Sequence, residues 1–191
     1  MDQIDEHDAG GIDLPILRGE RLMLRLAGPG DVDALYRGLA DFDVVRMLAR
    51  VAWPVRRDAL EAFLRDSLAR AVRGDAFEMA IIPHGQKPVG VVGLEYIDGS
   101  AHIGYWLGRA WWGQGLMTEA VSLSLAHVFA RSPGIRVISG VFSDNPASLR
   151  VQEKLGFEVA GSHMRWCEAR RQDLKHIDTA LDLKRFREGA R

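Results

Sequence analysis

Cysteine is nearly absent from this chain: Cys167 is the only one in 191 residues. A single thiol excludes an internal disulfide and any multi-cysteine zinc site. Its neighbours in Arg-Trp-Cys-Glu-Ala-Arg-Arg are basic, but no base accompanies it, so Cys167 reads as incidental rather than nucleophilic. The six histidines include no His-x-x-x-His pair, and no metal is expected. An excess of charge is missing too. A net charge of −1 gives no electrostatic case for nucleic acid or an anionic membrane as partner. No apolar run approaches the roughly 20 residues that cross a bilayer. The opening MDQIDEHDAGGIDLP is acidic and lacks the basic and apolar regions of a signal peptide. Residues 1–16 therefore read as a flexible tail, and the protein as cytoplasmic.

What remains is an ordinary soluble balance, 47% apolar and 27% charged, with a length suited to one sizeable core. Leu22, Leu24 and Leu26 alternate with Arg21, Met23 and Arg25, the period of a half-buried strand. Gly28-Pro29-Gly30 ends it, and Asp31 is placed to cap a helix showing Val32, Leu35 and Leu39. A second helix is predicted over 57–73, with Leu60, Phe63, Leu64, Leu68 and Val72 as its apolar stripe. Glu61 and Arg65 pair on its outer face, and Gly74 follows as its stop. Three strands follow, FEMAII, PVGVVGLEYI and AHIGYWL, joined by turns too short for anything but antiparallel neighbours. A helix over 116–131 then crosses over to IRVISGVF, so that strand lies parallel to AHIGYWL. A short helix follows over about 146–155, then strand patterns at EVAGSHMRW and HIDTALDLK. The expectation is one α/β (α+β) domain over 17–186, followed by a short tail over 187–191. Its sheet is mixed and mostly antiparallel, with a parallel pair at its centre and flanking helices.

Between the AHIGYWL strand and the 116–131 helix lies Gly-Arg-Ala-Trp-Trp-Gly-Gln-Gly. A helix N-terminus offers free backbone N–H groups and a favourable dipole to an anion, and Gly113 and Gly115 let a phosphate approach the backbone. The same glycines also serve simply as a helix start. A P-loop would need Gly-Lys-Ser/Thr, which is missing. A dinucleotide fingerprint would need a small residue at Thr118 and glycines directly after the strand, although Asp144 is placed to imitate its ribose-binding acid.

AHIGYWLGRAWWGQGLMTEAV followed by DNPASLRVQEKLGF resembles the acetyl-CoA-binding core of the GNAT N-acetyltransferase superfamily. It is most similar to the RimJ/RimL-like ribosomal-protein N-terminal acetyltransferases. The opening LRGERLMLRLAGPGDVDALYRGLAD and the DGSAHIGYWL turn resemble that group too, so the likeness runs from about Leu17 to Leu183. It implies a central parallel pair that splays apart, with acetyl-CoA as co-substrate. By resemblance the pyrophosphate lies on Trp112, Gly113, Gln114, Gly115, Leu116, Met117 and Thr118. The thioester arm lies along Tyr105, Trp106 and Leu107, with Asn145 and Ser148 orienting it. Two departures stand out. Trp112 replaces the motif's first polar residue, and Met117 adds bulk at its last small position.

The reaction needs a neutral amine, donors for the thioester oxygen and a proton for the leaving thiolate. Gly104 inside its strand points to a bulge, a close backbone approach or packing relief. His102 stands where the family often has a glutamate base, and its unperturbed pKa of about 6.5 suits that role; Glu95 on the preceding strand is the second candidate. Gln152 occupies the position of the family's acidic tyrosine and donates no catalytic proton, leaving Ser148 for that role. Neutralising an α-amine at pH 7 costs about 1 kcal/mol, against about 4.6 kcal/mol for lysine, which favours weakly basic acceptors. The expected activity is direct acetyl transfer in a ternary complex to a primary amine, either a peptide N-terminus or a small molecule. A catalytically weak CoA-binding module and, more remotely, a nucleotide-binding oxidoreductase stay open, as does a homodimer. The acceptor pocket is expected from the 41–53 segment and the C-terminal strands.

Overall fold

Leu22 and Leu24 are fully buried, and the strand they define, β2 (Leu22–Leu26), pairs with β3 (Ala76–Pro83) in a computed structural model that describes residues 16–189. The expected 1–16 tail lies outside the described residues except for Ile16. One eight-stranded sheet runs in the order β1-β2-β3-β4-β5-β6-β8-β7, and every neighbouring pair is antiparallel except β5–β6. Its remaining strands are β1 (Leu17–Arg18), β4 (Gly90–Ile97), β5 (Ser100–Leu107), β6 (Arg136–Phe142), β7 (Glu158–Cys167) and β8 (Gln172–Leu181). The β4–β5 turn uses Asp98 and Gly99, both at positive φ, which matches the right-handed twist of a tight hairpin.

Helices cover both faces, as period-2 strands with two apolar faces require. On one face, α4 (Leu116–Arg131) and α6 (Leu183–Gly189) close a core around Leu24, Ile81, Val92, Ile103, Leu125, Val137 and Phe186. On the other, α1 (Val32–Leu39), α2 (Phe42–Val45) and α3 (Arg57–Arg73) pack Leu35, Val45, Leu60 and Leu64 on Ala80, Ile82 and Val91. The last helix, α5 (Pro146–Lys154), follows β6.

Several expectations are corrected. Asp31 makes no side-chain cap; it ends a 3-10 turn (Pro29–Asp31), and its carboxylate takes two 2.7 Å bonds from Arg25 and one of 3.0 Å from the Gly28 N–H. The buried face of α3 is Leu60, Leu64, Ser67 and Ala71, while Phe63 and Val72 are 46% and 57% exposed. Small residues let α3 approach the sheet closely, which the apolar stripe alone did not reveal. Within 41–53 only Phe42–Val45 is helical. β8 begins at Gln172 and ends at Leu181, and α6 extends to Gly189, past the expected boundary at 186. The insertion of β8 between β6 and β7 is a long-range choice that local pattern does not encode.

Candidate active site

β5 and β6 pair at only three positions, Ser100↔Arg136, Ala101↔Val137 and His102↔Ile138, whereas β5 stays paired with β4 through Leu107. The two central strands therefore part beyond His102. The last link is a side chain: Ser139 Oγ donates to the Ile103 carbonyl at 2.9 Å. Behind it, Gln152 Nε2 donates to Ser139 Oγ at 3.1 Å, and Gln152 Oε1 accepts from Thr179 Oγ1 at 2.8 Å. Gln152 is 1% exposed, so its amide is a buried brace with both ends used. Past this brace the β5 edge has no strand partner on that side among the described residues, and backbone groups of Tyr105 are left for a ligand laid along the gap.

At the end of β5 the chain turns through Arg109–Trp111 into α4. Gly113 and Gly115 have φ of 73° and 76°, a region that costs any other residue, and Gly115 is the N-cap of α4. The cradle is held from outside. Arg21 Nη1 donates to the Gln114 carbonyl at 2.8 Å, and its Nε donates to Glu119 Oε2 at 2.7 Å. Burial pushes the Glu119 carboxyl up, but hydrogen bonds and charge from Arg21 outweigh it and hold it below its usual range. Both sequence departures are accommodated. Met117 packs against the main core, away from the cradle, and Trp112 Nε1 donates to the Leu107 carbonyl at 2.7 Å, bracing the turn. The side chains of Leu107 and Leu116 are also in the core, and Trp106 packs into the second one over Gly38. Leu107 and Leu116 thus turn their side chains away from the gap, and the Trp106 carbonyl faces Gly90 of β4.

Two hydroxyls meet beside the gap: Ser148 Oγ donates to Tyr105 Oη at 3.0 Å, and Tyr105 donates to the Ser148 carbonyl at 3.2 Å. Burial raises the Tyr105 phenol pKa against its hydrogen bond to Ser148. Asn145 accepts from the Ser148 N–H at 3.2 Å, so it caps α5 and retains its NH2 group. Pairing Tyr105 with Ser148 was beyond sequence reasoning, because 43 residues separate them.

The face with α1–α3 holds the other candidates. His102 lies opposite Glu95 in register, both on this face, but Glu95 is engaged: Arg70 hydrogen-bonds it and Arg50 stands 3.7 Å away. Gly104 lies opposite Gly93 in regular register, so the expected bulge is absent, and no described residue lies within 4 Å of where its Cβ would be. Packing relief is thereby excluded. Glu78, opposite Gly93, was missed; burial pushes its carboxyl up to about 7, helped by Glu95 and opposed by Arg50 and Arg70. Across the parting, His163 Nδ1 and His176 Nδ1 sit 2.9 and 3.1 Å from the two Asp178 oxygens. Burial pushes Asp178 up, but these imidazoles hold it below its ordinary value. This is the one grouping with metal-ligand spacing among the described residues, assembled across β7–β8 rather than along a helix. Asp144, the possible ribose acid, is taken by Arg46 at 3.2 Å and Arg170 at 2.5 Å. Cys167 is buried against the Arg46 and Leu48 carbonyls.

The family model of the acetyltransferase (GNAT) domain matches residues 21–158. The chain belongs to this family. The GNAT assignment removes the oxidoreductase alternative, in agreement with the mostly antiparallel sheet. An uncharacterized N-acetyltransferase p20 from Bacillus licheniformis is 28% identical over 74% of this chain and 82% of its own length. A probable N-acetyltransferase, YjcK of Bacillus subtilis (strain 168), is 44% identical over 62 residues, 32% of this chain and only 34% of that relative. Among solved structures, RimL, a ribosomal L7/L12 alpha-N-protein acetyltransferase, in complex with coenzyme A, superposes with a TM-score of 0.74 at 23% identity. The match covers 88% of this chain and 99% of that one. The fold of the GNAT domain is therefore shared with a RimL structure, as the RimJ/RimL-like motifs led one to expect.

Proposed function

We propose that this GNAT chain transfers an acetyl group from acetyl-CoA to a primary amine, by direct attack in a ternary complex. The observation that carries the reading is the parting of β5 from β6 directly before a glycine cradle at the start of a 16-residue helix. The cradle's N–H groups from Leu116 to Thr118 bind the pyrophosphate, and the α4 dipole adds to their pull. The thioester arm runs along the free edge of β5, whose backbone donors face the carbonyl oxygen as it gains charge. Asn145 offers its free NH2 to the pantetheine arm. The Ser148–Tyr105 hydroxyl pair turns to the departing sulfur and supplies its proton, a role closed to Gln152 because a carboxamide is no acid.

The acceptor enters from the opposite face, over Gly104 and beside His102. RimL's name places protein α-amines among the acceptors to test first, alongside small amines. A homodimer belongs to the same reading: the outer edge of β7 has no strand partner among the described residues, and Val159, Met164 and Trp166 are exposed there. Light scattering tests it. A cytoplasmic setting, with its acetyl-CoA supply, is compatible with the finding that no described helix is long and apolar enough to cross a membrane.

Thermal shift with acetyl-CoA against NADH tests the cofactor, and release of free CoA across peptides and small amines tests turnover. Stabilisation by acetyl-CoA with amine-dependent CoA release is expected. Stabilisation without release on any acceptor would favour the CoA-binding module instead.

A further inference from the structure

The sheet register builds a row of three residues across the acceptor face: Glu78 on β3, Gly93 on β4 and Gly104 on β5. Gly93 has no side chain, and the Glu78 carboxyl lies down over it; a Cβ at 93 would stand 2.6 Å from Oε2. The carboxyl thus leans one strand toward β5, and Gly104 is the next strand on, about 4.8 Å further. Space over Gly104 is open. Along the strands, Glu95 and His102 border this slot on one side, and Val91 and Trp106 on the other. Beyond the parting, the His176 ring covers Gly140 and closes the far end.

The charged groups around Glu78 are Arg50 from the segment after α2, Arg70 of α3 and Glu95 of β4, with His102 of β5 in the next row. Both arginines are engaged with Glu95. No hydrogen bond or ion pair reaches the Glu78 carboxyl among the described residues, although its backbone carbonyl accepts from the Ala27 N–H at 2.8 Å. It is the carboxyl in this face left free toward the open space.

We propose that Glu78 is the catalytic base, taking the amine proton as the acceptor nitrogen attacks the thioester carbonyl beside Gly104. This rests on the acetyl-transfer reading of the site. The N–C bond forms as the C–S bond breaks, and the N–H proton passes to the Glu78 carboxylate. The C–S electron pair leaves on sulfur, which takes a proton from the Ser148–Tyr105 pair, restored from solvent. A base that titrates at about 7 suits this work at neutral pH. The attacking nitrogen arrives as the neutral amine, its first proton already lost to solvent. At pH 7 that form is roughly a tenth of an α-amine but less than about a thousandth of a lysine amine, so α-amines are favoured.

The test uses the full chain with acetyl-CoA and tetrapeptides bearing either a free α-amine or a blocked one plus lysine. Wild type is expected to prefer α-amines and to show a kcat limb near pH 7. Glu78→Gln loses about 100-fold or more in kcat and loses that limb, with acetyl-CoA affinity within twofold. His102→Ala lowers turnover but keeps the limb. Formate restores part of the activity to Glu78→Ala, which covers the case in which the glutamine variant folds poorly. Glu78→Gln within threefold of wild type, or a limb that persists in it, overturns the proposal. If wild type acetylates no peptide, the acetyl-transfer reading fails for these acceptors. Glu78 is then judged by carbon-13 NMR titration of its carboxyl in the acetyl-CoA complex, where a midpoint below about 5 overturns its role and one near 7 upholds it.

Discussion

The two halves of the proposed site are made of different material. The cofactor half is mostly contiguous chain, Tyr105 to Thr118, joined by Asn145 and Ser148 of the α5 start. It acts chiefly through backbone: a strand edge unpaired among the described residues, two glycines at positive φ and the first turn of α4. The acceptor half is assembled from β3, β4, β5, β7 and β8, and it acts through side chains, with Glu78, His102 and the Asp178 cluster around a glycine floor. A backbone site tolerates unusual side chains, provided they have somewhere else to pack. Met117 and Trp112 show this, one in the core and the other braced on Leu107. A side-chain site has no such freedom, because each group must stand in the right register.

The sharpest way to break this division is Gly104→Val. It should fill the slot and cost about 100-fold in kcat/KM, near 3 kcal/mol, while calorimetry finds acetyl-CoA affinity unchanged. If cofactor affinity falls equally, Gly104 belongs to the cofactor half and the division fails. Gly115→Val is the converse. Its φ of 76° and the Arg21 guanidinium 3.3 Å from the added Cβ should weaken acetyl-CoA binding about 30-fold, roughly 2 kcal/mol. Gln152→Leu attacks the brace between the halves. It leaves the Ser139 and Thr179 hydroxyls short of partners, for a loss of about 2 kcal/mol and a melting point lower by about 4–8 °C.

A smaller effect belongs to the acceptor half alone. The folded chain holds the Glu78 proton up to about pH 7, whereas the unfolded chain releases it near 4.5. Between these values the native state binds more protons, so stability must fall as pH rises through that window and then level off. Denaturant titrations should show a loss of about 1–2 kcal/mol, less than the full shift implies because the residue keeps some contact with solvent. Glu78→Gln should remove the slope. The smallest effect is Arg21→Ala, which loosens the cradle from outside and should raise the acetyl-CoA Kd about fivefold, near 1 kcal/mol.

Legibility in the sequence followed the same division. The strand-glycine-helix run gave the cradle its boundaries, and α3 and α4 occupy the spans that periodicity predicts. Glu78 carried no signal, since a glutamate at an alternating strand position reads as solvent-facing. Its carboxyl lies over Gly93, a neighbour fixed only by strand pairing. The His163–His176–Asp178 cluster was hidden for the same reason, and so was the buried face of α3 with its serine and alanine.

By itself the sequence determined the order of elements, the glycine cradle and the likeness to GNAT acetyltransferases, because turns, caps and periodicity are short-range properties. Tertiary structure decided which side chains share the acceptor slot, where β8 inserts, and that Gln152, excluded as a proton donor by its chemistry alone, braces the parting. Those outcomes depend on register and burial, which arise only when distant strands pair and exclude water together.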